Sequence, residues 1–120
     1  MMGHKEELMS GQKLQVDETV LNEVTRRIRD AASPDRIILF GSAATGDMNR
    51  DSDLDLLVLM DSPRNTRQES VRIRSQLRGL GWPIDILVMD TARFDETKNI
   101  IGSVAYPANR YGRVLYALSS

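Results

Sequence analysis

The chain has 120 residues, of which 41% are hydrophobic, and its 16 basic and 17 acidic residues leave a net charge of −1. This size and composition fit one globular domain, and the balanced charge does not indicate direct binding to nucleic acid or to an anionic membrane. The absence of cysteine excludes disulfides, zinc–thiolate sites and thiol catalysis. The one histidine, His4, lies in a polar amino-terminal stretch, so we set aside mechanisms that require histidine.

The hydrophobic pattern also bears on location and domain limits. No apolar run approaches the roughly 20 residues that a membrane-spanning helix needs, and the amino terminus lacks the apolar core of a signal peptide. We therefore predict a cytoplasmic protein that does not contact a membrane. Residues 1–15 are polar with scattered Leu and Met, so we expect a flexible lead-in followed by a single domain over residues 16–120.

The first half of this domain is predicted to contain a helix and two strands. Asp17 is a good N-cap, apolar residues then recur at helical spacing, and Ser33-Pro34 should end the helix. Residues 36–40 are predicted to form a buried strand that leads into Gly41 and Ser42. After a polar loop over residues 46–52, residues 54–60 should form the second strand.

The second half continues the alternation of helix and strand. Ser62-Pro63 supplies an N-cap and an N1 proline, so a helix is predicted from about Pro63 to Gly79 or Gly81. Residues 83–89 should form a third strand, residues 90–99 a polar segment, residues 100–110 a helix kept short by Pro107, and residues 113–118 a last strand. This order predicts an α/β or α+β fold, in which helices flank a small mixed sheet.

Two acidic residues interrupt the start of the second strand. Asp53 and Asp55 stand two apart, so the period of a strand would send both carboxylates to one face of the sheet. Two such charges about 5 Å apart repel by roughly 3 kcal/mol at an effective dielectric near 20. A bound cation would relieve this repulsion; the alternatives are strand-end solubility for Asp53 and a salt bridge for Asp55.

A glycine turn and a third acid accompany this pair. Gly41 allows a sharp turn and the close approach of a phosphate, and Ser42 offers a hydroxyl and the start of a short helix or turn. By itself this pair is also typical of a plain strand-ending turn. Asp85 lies among apolar residues of the third strand, where the alternative is a buried acid paired with an arginine. Oxygen ligands suit Mg²⁺ or Mn²⁺, often held together with substrate phosphates, which indicates a nucleotide site.

These motifs, taken in order, resemble a known family. Residues 39–42, the Gly46 turn, residues 51–58 and residues 84–88 are similar to the minimal nucleotidyltransferase domain of the DNA polymerase β superfamily, as are residues 102–106 and 112–116. The resemblance extends from about Val20 to the carboxy terminus. It implies the polymerase β-like nucleotidyltransferase fold.

The resemblance also implies a site and a reaction. Asp53, Asp55 and Asp85 would be the catalytic and metal-binding residues for Mg²⁺ or Mn²⁺, and Gly41 and Ser42 would bind the β and γ phosphates of ATP. Asp85 would also help to deprotonate an attacking hydroxyl. The expected activity is transfer of AMP from MgATP to a hydroxyl, with pyrophosphate leaving.

Small members of this superfamily commonly act as antitoxins of an all-helical HEPN-type toxin, which they silence by adenylylation. The resemblance therefore implies a HEPN-like helical partner whose hydroxyl, expected to be a tyrosine, accepts AMP; self-association is also possible on the basis of the apolar carboxy-terminal segment. One departure from the pattern concerns activity, because Ala43 and Thr45 stand where relatives have arginines, and Arg50, Arg64 or Arg67 would have to compensate.

Two further functional interpretations remain open from the sequence. The chain could be a catalytically weak binding module that neutralises a helical partner by complex formation alone. The chain could also be a nucleotidyltransferase that acts on a small molecule such as an antibiotic, although no acceptor-binding domain is expected. The residues do not identify the base of the nucleotide.

Overall fold

The computed structural model describes residues 16–49 and 51–118, which contain five helices and four strands. The predicted lead-in of residues 1–15, including His4, lies outside the described residues. The helices are α1 (Glu18–Ala32), α2 (Ser42–Thr45), α3 (Thr66–Ser75), α4 (Thr91–Thr97) and α5 (Ala105–Tyr111). The strands are β1 (Arg36–Phe40), β2 (Leu54–Met60), β3 (Ile84–Asp90) and β4 (Arg113–Ala117).

The four strands form one mixed sheet in the order β3-β2-β1-β4. β1 is antiparallel to both β2 and β4, whereas β2 and β3 are parallel and are joined through α3. The end of β1 therefore lies at the same end of the sheet as the beginnings of the other three strands. The predicted α/β class with a small mixed sheet flanked by helices is confirmed.

Both faces of the sheet are covered, but to different extents. The larger cluster joins α1 and α3 to one face through residues such as Val24, Ile28, Leu56, Val58 and Ile73. The smaller cluster joins α4 and α5 to the other face and consists of Ile38, Leu57, Leu59, Phe94, Ala105 and Ala108. Because side chains alternate along β2, its odd-numbered residues, Asp55 included, belong to the face of the smaller cluster.

Most helix boundaries follow from the local sequence. Asp17 caps α1, since its carboxylate accepts a hydrogen bond of 2.9 Å from the Thr19 N–H, and Ser33 ends the helix in the left-handed conformation. In α5, Pro107 occupies the first turn, where a backbone N–H has no partner inside the helix. This position explains why a proline is compatible with that short helix.

Three predictions of the second half were wrong in detail. The helix predicted from Pro63 to Gly79 or Gly81 spans Thr66–Ser75, because Asn65 and not Ser62 is the N-cap; the Asn65 side chain accepts a bond of 3.0 Å from the Gln68 N–H. The helix expected over residues 100–110 begins only at Ala105. The polar segment 90–99 contains α4, which was not predicted. α4 buries one side chain, Phe94, so the segment shows no apolar periodicity.

Candidate functional site

Asp55 and Asp85 lie side by side on neighbouring parallel strands. The register pairs Asp55 directly with Asp85, and neighbouring strands are about 4.8 Å apart. Both side chains project to the face of the smaller cluster, but α4 and α5 cover that face farther along, over Leu57 and Leu59. Asp55 is half-buried and Asp85 is exposed, so both carboxylates remain accessible from solvent.

Asp53 is close enough to influence this pair, although it precedes the strand. β2 begins at Leu54, and Asp53 is exposed in the preceding loop. Burial raises the pKa of Asp55, and the negative charges of Asp85 and Asp53 raise it further. The structure thus brings the three predicted acids into one electrostatic group centred on Asp55.

No described basic side chain compensates this group. Within residues 16–49 and 51–118, none of the three acids forms an ion pair or a side-chain hydrogen bond. The alternatives of a salt bridge at Asp55 and an arginine partner at Asp85 therefore find no support in this part of the chain. Like charges held together without a partner are a feature of cation sites.

The described residues do not form a ready-made metal site. No three His, Cys, Asp or Glu side chains among them are arranged so that they could hold a metal ion. Asp53, Asp55 and Asp85 nevertheless offer the hard oxygen donors that Mg²⁺ and Mn²⁺ prefer, and their mutual repulsion favours a cation between them. The donor chemistry of the three acids fits a divalent ion.

Gly41 packs directly against Asp55. The antiparallel register pairs Phe40 with Asp55, so the next residue passes over the carboxylate. A Cβ atom at Gly41 would lie 2.5 Å from the Oδ2 atom of Asp55, and the φ angle of Gly41 is +72°. The sequence indicated the turn at Gly41. The contact of Gly41 with Asp55 and the pairing of Phe40 with Asp55 depend on the register between two strands, so the local sequence does not predict them.

Ser42 begins the four-residue helix α2, as the expected short helix or turn required. The Ala44 and Thr45 N–H groups donate to the Gly41 carbonyl at 3.1 and 3.3 Å, so the N–H groups of Ser42 and Ala43, which have no carbonyl partner within the helix, are the ones available to an anion. Ala43 and Ala44 pack against the larger cluster, and the Thr45 hydroxyl donates a bond of 3.0 Å to the Asp47 carboxylate. Positions 43 and 45, which lack arginine, thus belong to a short helix that packs closely against the core.

Two of the suggested compensating arginines, Arg64 and Arg67, come after the far end of β2. β2 runs away from Asp55, and its last residue, Met60, lies about 17 Å farther along the strand. Arg64 and Arg67 follow Met60 in the chain, and their role as partners of the triphosphate stays a prediction. Arg50 lies outside the described residues. Arg113, opposite Leu39, is held by both carboxylate oxygens of Glu18, at 2.7 and 2.8 Å.

Comparison with known proteins identifies the family of this chain. The sequence matches the family described as nucleotidyltransferase domain over residues 20–105. The chain belongs to this family. The match includes Gly41, the three acids and the whole of β1 to β3, so the resemblance expected from the sequence is confirmed.

Solved structures with the same fold include toxin–antitoxin structures. A mutant of the toxin–antitoxin MntA-HpeT has a TM-score of 0.58 and 18% identity, over 82% of this chain and 73% of that one. A toxin–antitoxin with AMP-PNP has a TM-score of 0.53 and 22% identity over the same shares. No match was found among curated proteins. In the described part of the nucleotidyltransferase domain, no helix is long and apolar enough to cross a membrane.

Proposed function

We propose that this nucleotidyltransferase domain transfers AMP from MgATP to a hydroxyl of a HEPN-type toxin and thereby acts as its antitoxin. The observation that carries the proposal is the accessible pair of Asp55 and Asp85, which lies against a glycine turn at position 41 and has no basic partner within the described residues. Two uncompensated acids beside an unobstructed backbone turn suit a cation-bound triphosphate.

The proposed reaction is an in-line displacement at the α phosphate. The acceptor oxygen attacks the α phosphorus, the bond between that phosphorus and the oxygen bridging to the β phosphate breaks, and pyrophosphate leaves. Asp85 is exposed and pairs with Asp55, so it is accessible to an acceptor, and the family resemblance implies that it helps to accept the hydroxyl proton. Gly41 and the start of α2 would hold the β and γ phosphates through backbone N–H groups and the Ser42 hydroxyl.

Asp53, Asp55 and Asp85 would hold the divalent ions in this proposal. When bound, Mg²⁺ would neutralise the developing charge on the entering and leaving oxygens. The raised pKa of Asp55 supports this assignment, since the charges of Asp85 and Asp53 contribute to it and a cation would remove the same repulsion. These roles stay predictions for the three residues.

The partner is proposed from two kinds of likeness. The ordered motifs resemble minimal nucleotidyltransferases paired with HEPN-type proteins, and the solved structures with this fold include toxin–antitoxin complexes, one with AMP-PNP. A nonhydrolysable ATP analogue in that complex supports ATP as the nucleotide donor here. A cytoplasmic location is part of the same proposal.

The test is a labelling experiment with the product of the adjacent gene. The two proteins are co-purified, ATP labelled at the α phosphate is added with Mg²⁺, and label on the partner is compared between wild type, Asp53→Asn and Asp55→Asn. Asp51→Asn is the matched control, because Asp51 is an exposed acid of the same segment. We expect label in wild type and control and at least a 100-fold loss in the other two variants.

A second candidate, a binding module without transferase activity, is favoured by α2. Ala43 packs on the core and Thr45 bonds to Asp47, so neither supplies the positive charge that a triphosphate attracts. In this case the toxin would be neutralised equally by wild type and Asp55→Asn, and no label would appear on it. That result would replace the transferase proposal.

A further inference from the structure

The solvent side of α3 carries a row of arginines. Arg67, Val71 and Arg74 are exposed on the helix, and at about 100° per residue they fall within an arc of roughly 60°. This arc lies away from Ile73, which is fully buried. Two more exposed arginines, Arg64 and Arg78, flank the helix at its two ends. We call Arg64, Arg67, Val71, Arg74 and Arg78 the α3 arginine face.

The arginines of this face have no partners of their own. Within the described residues, none of the four guanidinium groups forms a hydrogen bond or an ion pair. By contrast, Arg72 on the side towards α1 is bonded to Glu69 and to the Ala31 carbonyl. The α3 arginine face is therefore a set of free cations, whereas the neighbouring side of the helix is internally satisfied.

The charge of this segment differs sharply from that of the whole chain. Residues 64–78 contain five arginines and one glutamate, a net charge of +4, while the chain as a whole carries −1. A solvated helix face ordinarily mixes both signs, because like charges at helical spacing repel. A partner with negative charge would offset this local repulsion.

The centre of the face favours a protein over a nucleic acid. Val71 is 57% exposed and lies between Arg67 and Arg74 along the helix axis. An apolar centre with a polar rim is typical of protein interfaces, whereas single-stranded nucleic acid is bound through aromatic stacking as well as cations. The α3 arginine face contains no aromatic residue.

We propose that the α3 arginine face is the docking surface for the toxin partner, and that it receives an acidic surface of that protein with an apolar residue at its centre. This inference rests on the partnership proposed above. α3 belongs to the larger cluster, on the face of the sheet away from Asp55 and Asp85, so docking leaves the carboxylates accessible. Arg78, six residues before β3 begins, is the member of the face nearest in sequence to Asp85.

The test measures affinity for the co-expressed product of the adjacent gene by titration calorimetry. The α3 variant combines Arg67→Glu with Arg74→Glu. The control variant combines Arg93→Glu with Arg110→Glu, which changes the net charge equally; these are exposed arginines outside α3 that have no ion pair in the described structure. We expect at least a tenfold loss of affinity for the α3 variant and less than about threefold for the control. Wild-type affinity should also fall as NaCl rises from about 50 to about 300 mM.

Thermal unfolding followed by circular dichroism tests whether the variants remain folded. We expect these exposed substitutions to move the Tm by no more than about 2 °C. If wild type binds and labels the partner and the α3 variant binds as tightly, the docking surface is refuted while the proposed function stands. If wild type does not bind the partner, both fail. Two other outcomes would overturn the proposal, each with partner affinity unchanged in the α3 variant. In the first, the α3 variant loses binding to a fluorescent uridylate oligomer. In the second, it loses self-association on a sizing column.

Discussion

Gly41 is fixed by two independent constraints at the residue scale. Its φ of +72° is a conformation that side chains strongly disfavour, and its α carbon faces the Asp55 carboxylate so closely that a Cβ atom would come within 2.5 Å of Oδ2. Gly46 also has a positive φ of +83°, but it lies in the left-handed helical region, and no atom lies within 4 Å of the point that a Cβ atom would occupy. Gly41, with a ψ of −156°, lies in a region that is essentially restricted to glycine, so it combines the stronger backbone constraint with the contact to the acid.

Gly41→Ala and Gly46→Ala form a matched pair for this distinction. Through backbone strain, Gly46→Ala is expected to lower the free energy of unfolding by about 1 kcal/mol and Gly41→Ala by about 2–3 kcal/mol. Only Gly41→Ala should displace Asp55, so we expect at least a tenfold loss of AMP transfer for that variant and less than about threefold for Gly46→Ala. Urea unfolding and the labelling assay measure the two effects. Equal transfer rates in both variants would contradict the role of the contact.

At the scale of an element, the start of α3 is determined by Asn65, which caps the helix in place of Ser62. Ser62-Pro63 matches a helix start, but the Ser62 backbone N–H donates a bond of 3.0 Å to the Asp90 carboxylate at the end of β3. This long-range bond holds residue 62 in the loop after β2, with a φ of +48°. Asn65 then caps the helix, and the first turn of α3 begins three residues later than the proline indicates.

Asn65→Ala should destabilise the protein by about 1 kcal/mol, because the Gln68 N–H loses its acceptor. For a domain of this size the Tm would fall by roughly 4 °C. Ser62→Ala is the control, since the bond to Asp90 uses its backbone N–H, and we expect a shift of less than about 1 °C. Thermal unfolding followed by circular dichroism measures both. A larger shift for Ser62→Ala than for Asn65→Ala would restore Ser62 as the cap.

At the scale of the whole molecule, apolar burial and charge occupy different parts of the sheet. The larger cluster spans one face, and the smaller cluster covers the opposite face over Leu57 and Leu59. The uncovered remainder of that face holds Asp55 and Asp85, where burial and like charge raise the pKa of Asp55. The fold thus holds mutually repelling carboxylates at one end of the sheet. A cation bound with a nucleotide would be attracted to these carboxylates and would offset their repulsion.

Binding of MgATP should therefore stabilise the whole domain. At about ten times the dissociation constant, the expected gain is roughly 1.4 kcal/mol, or about 5 °C in Tm. Asp55→Asn should reduce this gain to less than about 1 °C, while the control Asp51→Asn should keep it. Differential scanning fluorimetry with and without MgATP provides the measurement. An undiminished shift in Asp55→Asn would show that the nucleotide binds elsewhere.

The sequence by itself determined the features that depend on neighbouring residues. Apolar periodicity and the Asp17 cap predicted α1, the apolar runs predicted the strands, and the spacing of Asp53, Asp55 and Asp85 after Gly41 indicated the candidate site. Only the tertiary structure decided which residues meet. The pairing of Asp55 with Asp85, the contact of Gly41 with Asp55, and α4 with its single buried Phe94 all depend on strand order and register. These contacts join residues far apart in the chain, and their free energies arise only once the sheet has formed.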